Sequence, residues 1–369
     1  MRSLVVVVGL VACGYNNPGS GTDGGVTGDG GGSDAGSGVQ PPCTLPALDV
    51  DMAATLSGCA DAGTQDGIRG VARFSNPVNV AIGASGIAYV VDFDSSRLRK
   101  VDPDGKVTTI YAPTTFNRPF GMLLAHDGFL YVETDNDATD GHGPMSGTIW
   151  KINPATTEAT QLVTGLTRPR GLTELGDGRI AVTDYLAMVV EIVDPTSGLV
   201  TPLAGARTIE GHNDGNGTSA TFGVPWDLVV DQNTGDLLVT EFDNNVIRRV
   251  TLGGDVTVYA GTVGMPGFKD GTIAEALFDH PKGMTIDAHG TIYITDSGNH
   301  AIRKISGGMV TTVAGAIEGG YADAADPMAA LYYGIEGLAV TPDGHTLIIA
   351  DGNDGDGAAY NHVRKITLP

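Results

Sequence analysis

One unit of sequence recurs along this chain, and a unit too short to bury a core alone must stack against its copies. The clearest copy runs Phe278-Asp-His-Pro281-Lys-Gly283, then Thr291-Ile-Tyr-Ile-Thr-Asp296, then Ala301-Ile-Arg303-Lys304-Ile305, then Val310-Thr-Thr-Val-Ala-Gly315. The same order returns with Phe74, Pro77, Asp92, Arg99 and Ala112, and with Phe222, Pro225, Glu241, Arg248 and Gly261. Two divergent copies carry Pro119 with Asp135 and Pro169 with Asp184, and the last has Tyr332, Gly337, Asp351 and Arg364. Each run is short, β-rich and bounded by glycine turns, which is strand chemistry. The acid closing the second run stands at 92, 135, 184, 241, 296 and 351, at spacings of 43, 49, 57, 55 and 55 residues. Six copies of a four-stranded unit predict an all-β chain, a six-bladed β-propeller of four-stranded antiparallel blades. The eight amphipathic helices that an α/β barrel of this length needs are missing.

These runs resemble NHL repeats, whose pattern is roughly Phe-x-x-Pro-x-Gly, Ile-Tyr-Val-x-Asp, Ile-Arg-Lys and Val-x-Thr-x-Ala-Gly. The resemblance covers nearly everything after residue 42 and implies a propeller. Copies two and three depart from it, with Trp150 and Glu191 where arginine is expected. The final copy stops after its third strand, Val363 to Thr367, while Ala54-Thr55-Leu56-Ser57-Gly58 upstream matches the missing fourth. That N-terminal segment is expected to close the last blade and so remove an open sheet edge.

Before the repeats stand an address and a tether. Arg2 precedes the nine-residue apolar run Leu4 to Ala12, too short to span a bilayer and read as a signal h-region. Leu10-Val11-Ala12-Cys13 looks like the lipobox of a bacterial lipoprotein, which would make Cys13 the lipidated first residue of the mature chain. An ordinary secretory signal with a chance cysteine is the alternative. Gly14 after the cysteine favours an outer-membrane destination, on the periplasmic face or the cell surface. Residues 14–42 hold 11 glycines in 29 positions and read as a flexible tether, leaving 43–369 for the propeller. The two remaining cysteines, Cys43 and Cys59, are expected to pair as a disulfide in an oxidising compartment. A metal site is the competing reading.

The chain carries a formal charge of -22, which argues against nucleic acid and against docking on anionic lipid; contact with membrane is expected through the lipid anchor alone. Within blades, Asp or Glu ending strand two and Arg in strand three are read as blade-to-blade ion pairs rather than as catalysts. Four inter-blade loops hold Asp66, Asp214, Asp270 and Asp323, eight or nine residues before the aromatic, and these are expected to act as turn residues. The Asp-Gly turns on the opposite face, such as Asp104-Gly105 and Asp127-Gly128, are hairpin chemistry.

Function is sought where the repeats disagree. The residue after the proline position opens the innermost strand at the mouth of the central channel, and reads Val78, Phe120, Arg170, Trp226, Lys282 and Glu336. Asn79 and Asp227 replace the glycine that follows in the other copies. Phe120, Arg170, Trp226, Asp227, Lys282 and Glu336 therefore form the candidate ligand site, with irregular packing at a channel mouth as the alternative. Two acidic stretches, Asp135-Asn-Asp137-Ala-Thr-Asp140 and Asp351-Gly-Asn-Asp354-Gly-Asp356, offer hard oxygen ligands of the Ca²⁺ type but lack the order of a helix–loop–helix calcium site. No cofactor is expected otherwise. The catalytic inventory is thin, with neither His-Glu-x-x-His nor Gly-x-Ser-x-Gly. The sequence favours an envelope-anchored binding or scaffolding module for a peptide, protein or glycan, through the face bearing the long loops. The alternative is a metal-dependent propeller enzyme, gluconolactonase-like or amidating-lyase-like, working at the channel mouth.

Overall fold

A computed structural model describes residues 40–45, 48, 53–83, 85–135, 145–353, 355 and 360–368. Six antiparallel sheets follow one another along the chain. From the axis outward, blade one is Pro77–Ile82, Ala88–Asp92, Arg97–Val101 and Val107–Tyr111. Blade two is Pro119–Leu124, Leu130–Thr134, Gly147–Ile152 and Ala159–Leu166; blade three is Pro169–Glu174, Ile180–Asp184, Val189–Val193 and Val200–Ala204. Blade four is Pro225–Val230, Leu237–Glu241, Val246–Val250 and Asp255–Ala260, and blade five is Pro281–Ile286, Ile292–Asp296, Ala301–Ser306 and Met309–Gly315.

Blade six takes three strands from the C-terminal end, Gly334–Val340, Thr346–Gly352 and His362–Thr367, and its fourth from the N-terminal side, Ala53–Ser57. That segment pairs antiparallel with the last strand, Ala54 opposite Lys365, so the expected closure is present. The Cys43–Cys59 disulfide ties the residues before it to its end, with Cα atoms 6.0 Å apart. Hairpin glycine Gly105 of blade one also meets the closing strand. It has φ of 84°, and a Cβ there would lie 2.3 Å from Leu56 O.

Two blades exceed four strands. Two-residue strands Gly215–Asn216 and Gly271–Thr272, from inter-blade loops, add to the outer edges of blades four and five. The inter-blade loops of Asp214 and Asp270 thus cover the outer edges as well as connecting blades.

Blades pack face to face, and this explains the burial of the strands. Every residue of Ile180–Asp184, Leu237–Glu241 and Ile292–Asp296, the second strands of blades three to five, is buried because each face meets a neighbouring blade. Among the described residues the buried hydrophobics gather into six clusters, one at each blade junction, including that between six and one. Among the same residues, no helix is long and apolar enough to cross a membrane.

In blades one, four, five and six the repeated motif residues form one buried unit within the blade, whereas Asp135 of blade two bridges to Arg170 of blade three. In blade five, Arg303 donates to Asp296 at 2.6 Å and to loop residue Asp270 at 2.9 Å, and its guanidinium lies 5.2 Å from the Phe278 ring. Arg99 with Asp92, Asp66 and Phe74 repeats this in blade one. Arg248 and Arg364 do so in blades four and six, with Asp214 and Asp323 as their loop partners. The loop aspartates are therefore third members of a charge cluster, not simple turn residues. They were hard to place because partners such as Thr109 and Asp66 are 43 residues apart.

Candidate functional site at the channel mouth

Each innermost strand loses its ladder register within its first residues, for example between Pro281 and Met284, between Pro225 and Leu228, and between Ile335 and Leu338. A local break of this kind re-aims the side chains within it. The residues so released are those that the sequence singled out.

They come together, but as a plug. Phe120, Arg170, Lys282 and Glu336 are all buried, and only Trp226 of the mouth series keeps partial exposure. Arg170 stacks 4.0 Å from the Phe120 ring and donates to Asp135 at 2.9 Å. Lys282 donates to Glu336 at 2.8 Å and lies 5.1 Å from the Trp226 ring. Phe120 meets Trp226 edge-on at 5.8 Å. Asp227 lies one residue deeper and takes no part in the plug; its carboxylate accepts the backbone N–H groups of Leu228 and Met284, each at 2.8 Å.

Electrostatics follow from burial. Burial alone would raise the Asp135 carboxyl, but the Arg170 and Arg168 guanidiniums outweigh it and hold the group below the usual carboxylate range. Asp227 has no such cation, and burial pushes it up to about 7. Although deep in the molecule, Asp227 keeps some exposure because it faces a cavity. Burial also raises Glu133 well above the carboxylate range, with Arg170 opposing and Asp227 adding to the shift.

Of the calcium candidates, Asp135 and Asp351 are described, and both are held by arginine: Asp135 by Arg168 and Arg170, Asp351 by Arg364. Asp137, Asp140, Asp354 and Asp356 lie outside the described residues, as do Cys13 and most of the tether. Among the described residues no group of three or more His, Cys, Asp or Glu side chains is placed to hold a metal.

The outer surface of the plug is made by residues the sequence reading passed over. Tyr185 packs edge-on against Trp226 at 5.5 Å, Phe242 stacks on it at 5.0 Å, and His280 lies 4.4 Å from Phe242. All four are partly exposed. Arg168 approaches Tyr185 at 5.6 Å. The signal was present: Phe93, Tyr185 and Phe242 each follow the acid of strand two directly, and Arg118, Arg168 and His280 each precede the proline. The same comparison across repeats, shifted by one residue, finds them.

The NHL repeat family model matches residues 278–305, in blade five. Human NHL repeat-containing protein 2 is 37% identical over 93 residues, covering 25% of this chain and 12% of that protein. The chloroplastic protein SUPPRESSOR OF QUENCHING 1 of Arabidopsis thaliana is 31% identical over 289 residues, covering 68% of this chain and 27% of its own length. The chain thus spans only a small part of these relatives. A crystal structure of an auxiliary nutrient binding protein from Bacteroides thetaiotaomicron superposes with a TM-score of 0.67 at 17% identity, over 85% of this chain and 75% of that one. The chain is thus a six-bladed β-propeller with an NHL repeat in blade five, and the same motif cluster is built in blades one, four and six.

Proposed function

We propose that the protein is an exported, lipid-anchored binding module of the bacterial envelope that takes a peptide, protein or glycan segment at the channel mouth. The observation that carries this is the half-exposed Trp226, held between Tyr185 and Phe242 with Lys282 beneath it. Aromatic faces at fixed angles stack on sugar rings or on side chains of a bound segment, and adjacent cations supply polar contacts. The buried ion pairs below fix these rings in advance, which lowers the ordering cost of binding. Export is supported by the signal-like Leu4 to Ala12 run ahead of Cys13 and by the Cys43–Cys59 bond, since such bonds persist in oxidising compartments. Mass analysis of the mature protein is expected to find a lipid on Cys13, lost in Cys13→Ala.

A metal-dependent enzyme at the mouth has less support. Glu336 is tied to Lys282, and Asp227 to two backbone N–H groups below the plug.

Glycan and peptide arrays, followed by titration of Trp226 fluorescence, test the binding reading. The double substitution Tyr185→Ala with Phe242→Ala is expected to weaken binding about tenfold or more, because stacked aromatic anchors dominate such contacts. Melting is expected to stay close to the parent value, as both rings are partly exposed. Unchanged binding in that variant would rule out the mouth as the site.

A further inference from the structure

The channel continues beneath the plug. A cavity of about 240 Å³ is lined by the later halves of the innermost strands, with Leu124, Leu172, Leu228, Met284 and Leu338 among its walls. These halves lead into the short turns between strands one and two, so the cavity lies toward the face opposite the mouth. Each innermost strand has a sheet neighbour on one side only. Its other edge brings unpaired backbone N–H and C=O groups to the axis, where they need partners.

One ring of positions around this channel is unlike the rest. Four blades place glycine there, at 121, 171, 283 and 337, while blades one and four place Asn79 and Asp227. In a ring of six these two blades are opposite, so the two polar side chains enter the channel from opposite sides. The glycines make room for them: a Cβ at Gly171 would lie 2.7 Å from Asp227 Oδ1, and one at Gly337 would lie 2.6 Å from Asn79 Oδ1. Both side chains line the cavity. Asp227 takes two backbone N–H bonds, and no cationic side chain pairs with it among the described residues. Arg170 and Lys282, its charged neighbours on adjoining innermost strands, are engaged with Asp135 and Glu336. A carboxylate therefore stands at the inner end of a chamber walled largely by backbone polar groups, without a counter-charge.

We propose that this cavity is a second binding site, separate from the mouth, for a small organic cation: a primary ammonium group on a compact body. An ammonium carries three donors and no acceptor. Asp227 supplies the charge and one acceptor, and the carbonyls of the unpaired strand edges supply the others. The narrow chamber, about 240 Å³, admits only a compact body behind that group. A carboxylate ligand of the same shape would meet the charge of Asp227.

Isothermal titration of the full-length protein with phenethylammonium tests this, with 2-phenylethanol and phenylacetate as neutral and anionic counterparts. The titration is run at pH 8, above the value of about 7 to which burial raises Asp227. Saturable one-to-one binding of the amine is expected, with the alcohol about tenfold weaker or worse and the acid not bound. Asp227→Asn is expected to lose about tenfold or more in amine affinity. Ala339→Leu fills the chamber and leaves the carboxylate in place, and is expected to block the amine even if the Asp227 variant folds poorly. The mouth variant Tyr185→Ala with Phe242→Ala is expected to bind the amine as the parent does. The proposal is overturned by no saturable amine binding, by equal binding of the three probes, or by unchanged amine binding in Ala339→Leu.

Discussion

Glu133 occupies, in blade two, the register that threonine fills in three other blades. Thr183, Thr240 and Thr295 donate their hydroxyls to the carbonyls of Trp226, Lys282 and Glu336, each on the next blade. Glu133 is fully buried, and neither carboxyl oxygen accepts a hydrogen bond. A Cβ built on Gly121 would fall 2.1 Å from Arg170 O and 2.2 Å from Glu133 Oε2, so the carboxyl sits beside the equivalent next-blade carbonyl. A neutral carboxyl can donate there as the threonines do, whereas a carboxylate cannot. Burial holds the group in that neutral form, well above its ordinary 4.5. The folded state then keeps a proton that the unfolded chain releases. This contribution is intact below about pH 4.5 and is lost as pH rises toward the folded value, on the order of 1 kcal/mol per pH unit. Glu133→Gln keeps a donor and removes the titration. Urea unfolding at pH 5 and pH 8 is expected to show a smaller loss between the two for the variant than for the parent. A variant equally destabilised at both would mean that Glu133 is ionised and serves Arg170.

The blade, as an element, depends on a buried arginine shared by two acids. Arg303 and Asp296 are both fully buried, while the side chain of loop residue Asp270 is 49% exposed. Burial raises Asp296 to about 6 even with Arg303 beside it, so its charge relies on that partner. Arg303→Met strands the acid and is expected to cost about 3–5 kcal/mol in urea unfolding. Asp270→Asn, at the solvent edge, is expected to cost about 1 kcal/mol or less. Equal costs would contradict this ranking. Blades two and three meet the same need with other residues. In blade two Thr134, not the expected Asp135, takes the acid's register opposite Pro119. Trp150 packs on Phe116 and Asp135, one residue on, turns to Arg170 of the next blade, while in blade three Glu191 pairs with Arg207. Their departure from the repeat is therefore compensated, and the blade count survives it.

The ring as a whole is closed by a strand from the opposite end of the chain. Without Ala53–Ser57 the last strand, His362–Thr367, would present an unpaired edge. Removing residues 1–57 is expected to lower the melting temperature and to produce concentration-dependent association on size exclusion. A truncated protein that stays monomeric and melts as before would show that the closing strand is dispensable. The Cys43–Cys59 bond spans 16 residues, and Cys59→Ser is expected to cost about 3 kcal/mol on the chain-entropy account. That loss should appear in the parent protein on reduction and be absent from the variant.

The sequence by itself determined the blade count, the closing strand, the cysteine pair and the residues that form the plug, though not Tyr185, Phe242 and His280 around it. Repetition made these legible, since a motif seen several times reveals its period and every exception to it. Tertiary structure alone decided what the exceptions do. Arg170 could have faced a ligand, but its partner Asp135 lies 35 residues away on the preceding blade, and together they fill the mouth. Asp227 differs from the glycines only as a polar substitution until six strand edges surround it. Charge and shape at the axis come from all six blades at once, and no single repeat contains them.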